Sequence, residues 1–248
     1  MAYQSDVSNL GGMGTVVFEL RDWHTPLPPM MLAMTVSTGL VDSFSFLVLG
    51  HVFVANMTGN VVFSSFALAG APGFTPGASL AALAAFVTGA FVGGVIAHRS
   101  GAQRGVILRR ALFLETILVF AAYLVAANTD PAHQDAAKYA LIAVLGIALG
   151  GQNATARTVA VPDLTTTVLT LTITGIVSDS RAAGGHDPRL PRRLLATAAL
   201  FIGGLAGAFS ILNGIPSLPL LLATLLLAGV TVASFRLTKS GEEWARPV

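Results

Sequence analysis

Apolar residues gather into eight charge-poor stretches, at about 30–49, 57–71, 79–97, 111–127, 139–156, 164–178, 194–212 and 218–235. Residues 77–97 carry no charged side chain on any helical face, whereas a helix of a water-soluble bundle keeps a polar stripe. Most stretches approach the ~20 apolar residues that carry a helix across a bilayer. The pattern predicts an all-α fold, a polytopic membrane helical bundle. The second and sixth stretches are shorter, rich in Ser, Thr and Asn, and each follows a polar phrase. The first phrase is Val52-Phe53-Val54-Ala55-Asn56-Met57-Thr58-Gly59-Asn60-Val61; the second is Val159-Ala160-Val161-Pro162-Asp163-Leu164-Thr165-Thr166-Thr167-Val168. Val54 and Val161, Asn56 and Asp163, Thr58 and Thr165, and Val61 and Val168 are each 107 positions apart.

Other matches follow in the same order. Gly39 and Asp42 correspond to Gly150 and Asn153 at an offset of 111, and Phe86-Val87-Thr88-Gly89 corresponds to Phe201-Ile202-Gly203-Gly204 at 115. These matches divide a single transmembrane domain, 28–236, into repeats at about 28–127 and 138–236, with tails at 1–27 and 237–248. The first 26 residues lack the ordered basic, apolar and cleavage segments of a signal peptide.

Composition agrees with the pattern: 54% of residues are hydrophobic and 10% charged, against roughly a quarter charged in a soluble domain. No cysteine is present, which excludes disulfides and thiol chemistry. The net charge of +2 sits in loops and reads as topology, not as nucleic-acid binding. Loops 98–110 and 179–193 and the tail carry most of the Arg and Lys, so they are expected in the cytoplasm. Eight full crossings would contradict these signs. Three crossings per repeat, plus one segment that enters and leaves on the same side, satisfies them. Two odd-numbered units in series are then inverted repeats, an architecture that recurs in transporters. The expected location is a bacterial plasma (inner) membrane, with both termini cytoplasmic.

The phrases fit the re-entrant role. Their β-branched starts favour extended backbone, Asn56 and Asp163 are good N-caps with Thr58 and Thr165 close behind, and Pro162 opposes a continuous helix. Each following helix would be about 14 residues, or ~21 Å, short of the ~30 Å hydrocarbon core. A helix that starts inside the membrane aims its free N–H groups and positive dipole end at whatever lies there.

The residues that carry both phrases, together with Asp42, Gly50-His51 and Gly151-Gln152-Asn153-Ala154-Thr155-Ala156-Arg157, resemble the YoaK-type family of bacterial multi-pass membrane proteins, a domain of unknown function. The resemblance covers about residues 28–236 and implies six spans. Many relatives carry Thr-Gly-Asn in the second half, where this chain has Thr165-Thr166-Thr167. The family supplies no substrate, catalytic residue or cofactor to carry over.

Asp42 reads as a proton or cation site, or an anchor for a substrate amine. The plainer alternative is an acid bonded to hydroxyls or backbone within the bundle. Asn56, Thr58 and Asn60, with Asp163, Thr165 and Thr167, either line a solute pocket or only cap broken helices. Gln152 and Asn153 are hydrogen-bonding candidates. Arg157 is either a charge partner for an anionic solute or an interface cation. His51 sits at a span end and reads first as an interfacial residue. Glu115, one and a half turns from Arg110, is read near the membrane surface as a structural pair or a snorkelling acid. Gly89-x-x-x-Gly93, Gly203-x-x-x-Gly207 and Gly204-x-x-x-Ala208 read as helix packing. The scattered histidines have no metal-ligand spacing, and no cofactor motif or catalytic set is present, so the expectation is no enzyme, no metal and no cofactor. The expected function is a secondary transporter of a small polar or anionic solute; the alternative is a non-transporting sensor, binding or accessory protein. Expected partners are the lipid bilayer, an unidentified solute and a second copy in a homodimer, without nucleic acid.

Overall fold

A computed structural model describes residues 25–74, 76–101, 103–160, 169–180, 183–185 and 190–237. The described residues form helices α1 (Leu27–Val48), α2 (Met57–Leu68), α3 (Pro76–Arg99), α4 (Arg104–Asn128), α5 (Asp135–Val159), α6 (Leu169–Ser178), α7 (Leu190–Leu212) and α8 (Leu218–Leu237). Each predicted stretch contains a helix, the sixth being described only from Leu169. Six of them, all but α2 and α6, are long and apolar enough to cross a membrane. Prolines at the first turn of α1 sit where backbone N–H groups have no intrahelical acceptor. Beyond its last turn, Gly50 at φ +87° and His51 at φ +58° reverse the chain.

α1 and α5 form the centre, with 61% and 56% of their spanning windows buried; α3 and α7 lie outside, with 28% each. The outer faces carry large apolar side chains such as Val87, Phe91, Phe201 and Phe209. That arrangement places hydrocarbon against lipid, the opposite of a soluble bundle.

The helix pairings exchange when the two halves are swapped. α3 packs on α5 as α7 packs on α1, α4 packs on α5 as α8 packs on α1, and α2 leans on α3 as α6 leans on α7. Glycine creates the two principal crossings. A Cβ on Gly89 would overlap the Ile147 carbonyl, and one on Gly203 the Val36 carbonyl. A Cβ on Gly150 would overlap the Phe86 carbonyl; one on Gly39 would sit 2.5 Å from Leu200 O and 2.7 Å from Gly204 N. Backbones that approach this closely gain van der Waals contact, which drives helix association in lipid.

These contacts define the register between the halves. Gly39 matches Gly150, and Val36 matches Ile147, so 150 − 39 and 147 − 36 are both 111. Gly89 matches Gly203 and Gly93 matches Gly207, so the second offset is 203 − 89 = 114, not the 115 of the Phe-Val-Thr-Gly match. Three of the four residue types in that match coincide one position out of register, because small and aromatic residues recur along both helices. Gly204 offers its backbone to Gly39, but its own missing side chain meets open space.

Directions also follow from contacts. α1 and α7 run parallel: Val36 meets Gly203, and Ser43 meets Gly207. α1 and α5 run antiparallel: Lys138 lies over Gly50, and Gln152 donates to Thr38. α4 and α8 are antiparallel too, with Thr116 Oγ1 3.0 Å from Thr231 Oγ1 and the Arg109 guanidinium 5.1 Å from the Phe235 ring centroid.

A braced loop and a pocket between α1 and α7

The first polar phrase is a folded loop held from below by one acid. Asp42, 6% exposed on α1, accepts the backbone N–H groups of Val54 and Ala55 at Oδ1, at 3.3 and 3.1 Å. Its Oδ2 accepts Asn56 Nδ2. Without these bonds the N–H groups of a non-helical segment would be buried unpaired, which is costly at membrane depth. Val52, Val54 and Ala55 of the loop are buried.

Asn60 braces the other side. Its Oδ1 accepts Phe53 N–H at 3.0 Å, and its Nδ2 donates to Phe53 O at 2.5 Å. One amide thus satisfies both backbone groups, as a neighbouring strand would. Gly59 leaves room for the Phe53 ring: a Cβ there would lie 2.8 Å from Cδ2. That ring stacks on Phe46 at 4.9 Å between centroids. Phe53, Gly59 and Asn60 of the phrase therefore form one mutually fitted unit.

The cap prediction needs correction. Asn56 occupies the N-cap position of α2 but makes no side-chain cap bond; Asp42 has captured its amide. Thr58 is exposed and does not line the pocket described below. α2 ends at Leu68, so it has 12 residues, and Val61, Val62, Phe66 and Leu68 on it are exposed.

Above Asp42 lies a cavity of about 330 Å³, walled by Asp42, Ser43, Phe46, Phe53, Asn56 and Gly204 among others. Its size lies at the small end of ligand sites, which run from about 300 to 1,000 Å³. Two aromatic rings form an apolar wall, and Asp42 and Asn56 supply polar groups. Sequence reasoning placed Asp42 and Asn56 here but missed Ser43, Phe46, Phe53 and the α7 residues Leu200 and Gly204. Ser43 adjoins Asp42 and was a readable signal; the α7 wall comes only from tertiary packing.

The remaining candidates lie elsewhere. Gln152, 1% exposed, donates Nε2 to Thr38 Oγ1 at 2.8 Å. Asn153 donates Nδ2 to Leu149 O at 2.9 Å on its own helix and makes at least one further interaction. Arg157 is exposed in the last turn of α5. Asp163, Thr165 and Thr167 lie outside the described residues. Glu115 is not at the surface: it is residue 12 of the 25 in α4 and is 2% exposed. Arg110 turns away to donate to Ser100 Oγ at 3.1 Å. Among the described residues, no group of three or more His, Cys, Asp or Glu has the arrangement of a metal site.

Fold and composition define a multi-pass helical membrane protein with a polar loop folded into its interior. The chain belongs to the family described as Protein of unknown function (DUF1275), whose profile matches residues 30–233. It is also similar to the UPF0700 transmembrane protein YoaK of Bacillus subtilis (strain 168), 29% identical over 153 residues. That match takes in 60% of this chain and 65% of the relative, less than two thirds of its length. No solved structure matches.

Proposed function

We propose that the chain is a secondary transporter or permease for a small polar solute, bound in the pocket between α1, the 52–56 loop and α7. The observation that carries the reading is the pocket itself: a carboxyl and an amide face a cavity of solute size at a glycine-built crossing of two spanning helices. The antiparallel course of α1 and α5, and of α4 and α8, supports inverted repeats. The ends rich in Arg, at Arg99, Arg104, Arg192 and Arg236, then share one side, the cytoplasmic side of a bacterial inner membrane.

The local chemistry also narrows the solute. The start of α2 aims its positive end into the interior, but Asp42 already accepts the N–H groups leading into it. An anion would meet acceptor oxygens whose neighbouring N–H donors are already taken, whereas an uncharged polar molecule or an amine would find an acceptor and two aromatic faces. The solute is therefore polar or amine-bearing rather than anionic, and it passes through without chemical change.

Uptake by proteoliposomes, measured with a panel of labelled amines, polyols and amino acids, tests the reading. A Cβ at Gly204 meets nothing, so Gly204→Leu fills the pocket edge without a backbone clash. The unmodified chain should accumulate at least one class of solute, and Gly204→Leu should lower that uptake at least tenfold while remaining monodisperse. Solute-induced thermal stabilisation without uptake would instead identify a sensor.

A further inference from the structure

A second polar site lies on the opposite side of the core, between α3, α4 and α5. Glu115 is 2% exposed, and neither carboxyl oxygen has a hydrogen-bond partner. Gln152 Oε1 is likewise buried without a partner. Both side chains line a cavity of about 20 Å³ whose other walls include Gly89, Gly93, Ala111 and Gly151. One water needs roughly 10–15 Å³ of such space and two to four polar partners; three unpartnered oxygens and one water-sized space coincide here.

The other half shows that packing does not require this pair. In the registers set by the glycine crossings and by Thr116 against Thr231, whose offset is 231 − 116 = 115, Gln152 corresponds to Val41 and Glu115 to Val230. Both valines belong to the hydrophobic core. Two equivalent helix crossings are thus built once with apolar residues and once with an acid and an amide. Ionisable groups inside membrane spans are costly and mark functional sites.

No ionisable group other than Glu115 lines the cavity. The charges on the packed helices sit towards their ends: Arg104, Arg109 and Arg110 on α4, His98 and Arg99 on α3, Asp135, Lys138 and Arg157 on α5, and Arg236 on α8. An ionised carboxyl at this point would lack both a counter-charge and a donor. A neutral carboxyl would itself donate, and Gln152 Oε1 is an acceptor without a partner.

We propose that Glu115 is a buried proton-binding site, its carboxyl O–H joined through one ordered water to Gln152 Oε1. Gln152 passes the connection on: its Nε2 donates to Thr38 Oγ1, which donates to Met34 O at 3.0 Å. Thr38 is one turn from Asp42 on α1, so the proton site is tied to the helix that carries the pocket. The proposal stands independently of any solute in that pocket.

Infrared spectroscopy of the full chain in lipid, with glutamate carboxyl carbons labelled with carbon-13, tests it. The chain has four glutamates, and Glu115 is the one inside a described span; Glu19, Glu242 and Glu243 lie in the tails. At neutral pH one labelled protonated-carboxyl band is expected. Glu115→Gln should remove it, and Gln152→Leu should shift it. The unmodified protein provides the test even where Glu115→Gln folds poorly: absence of the labelled band at neutral pH overturns the proposal. Loss of the band on adding sodium chloride at fixed pH would also overturn it, identifying a metal-cation site.

Discussion

Alanine at Gly89, Gly150 or Gly203 should destabilise the bundle sharply, while alanine at Gly94 or Gly229 should not. At the first three positions the new methyl would overlap a backbone carbonyl on a neighbouring helix; at the last two it meets nothing within 4 Å. Backbone cannot rotate aside as a side chain can, so the helices must separate and give up their closest contact. Overpacking of this kind costs about 1–3 kcal/mol, occasionally more. The open positions should be neutral or gain up to about 1 kcal/mol from better helix propensity. Gly89→Ala and Gly203→Ala should cost about the same, because both meet a carbonyl at equivalent crossings. Thermal unfolding of purified protein, followed by loss of monodispersity, checks all five. Equal effects at Gly89 and Gly94 would refute the crossing geometry.

Replacement of Asp42 has the second large effect. Asp42→Ala strips the acceptor from Val54 N–H, Ala55 N–H and the Asn56 amide together. Each buried donor left unpaired costs about 1–3 kcal/mol, so a loss of about 3 kcal/mol or more is expected. Asp42→Asn retains an oxygen for the two backbone donors and loses the acceptor facing Asn56, a change of about 1 kcal/mol. Asn153, an amide, stands at the equivalent position on α5, 153 − 42 = 111. Thermal unfolding of the two variants should rank Asp42→Ala well below Asp42→Asn. The reverse order would mean that charge, not acceptance of hydrogen bonds, is what the loop needs.

The helices were legible because lipid imposes a strong constraint: every spanning segment must satisfy its own backbone and present hydrocarbon outward. All eight stretches contain a helix among the described residues, and the offset of 111 between α1 and α5 recurs in the contacts of Gly39 and Gly150. The second offset was read one residue out because its match rested on residue types, whereas the register is set by which glycine faces a carbonyl. Asp42 and Asn56 were found because a polar phrase inside apolar sequence stands out.

Their roles were less legible. A motif such as Asn-Met-Thr-Gly-Asn shows that polar groups are present, not which of them face each other. Asn56 bonds to Asp42, 14 positions away, rather than capping its own helix, and Thr58 turns outward. Glu115 was misplaced for a related reason. Its spacing from Arg110 fits an ion pair along one helix, but the face that carries Glu115 points into the core while Arg110 reaches back to Ser100. Only tertiary packing separates those alternatives.

The central claim is that the space over Asp42 is a water-accessible solute site. The chain has no native cysteine, so a single Gly204→Cys at the pocket wall can be labelled without background. In vesicles of defined orientation, a membrane-impermeant maleimide should react with that thiol from each face in turn, and a transported solute should protect it. A thiol that reacts from neither face, in protein that is folded and monodisperse, would contradict the claim.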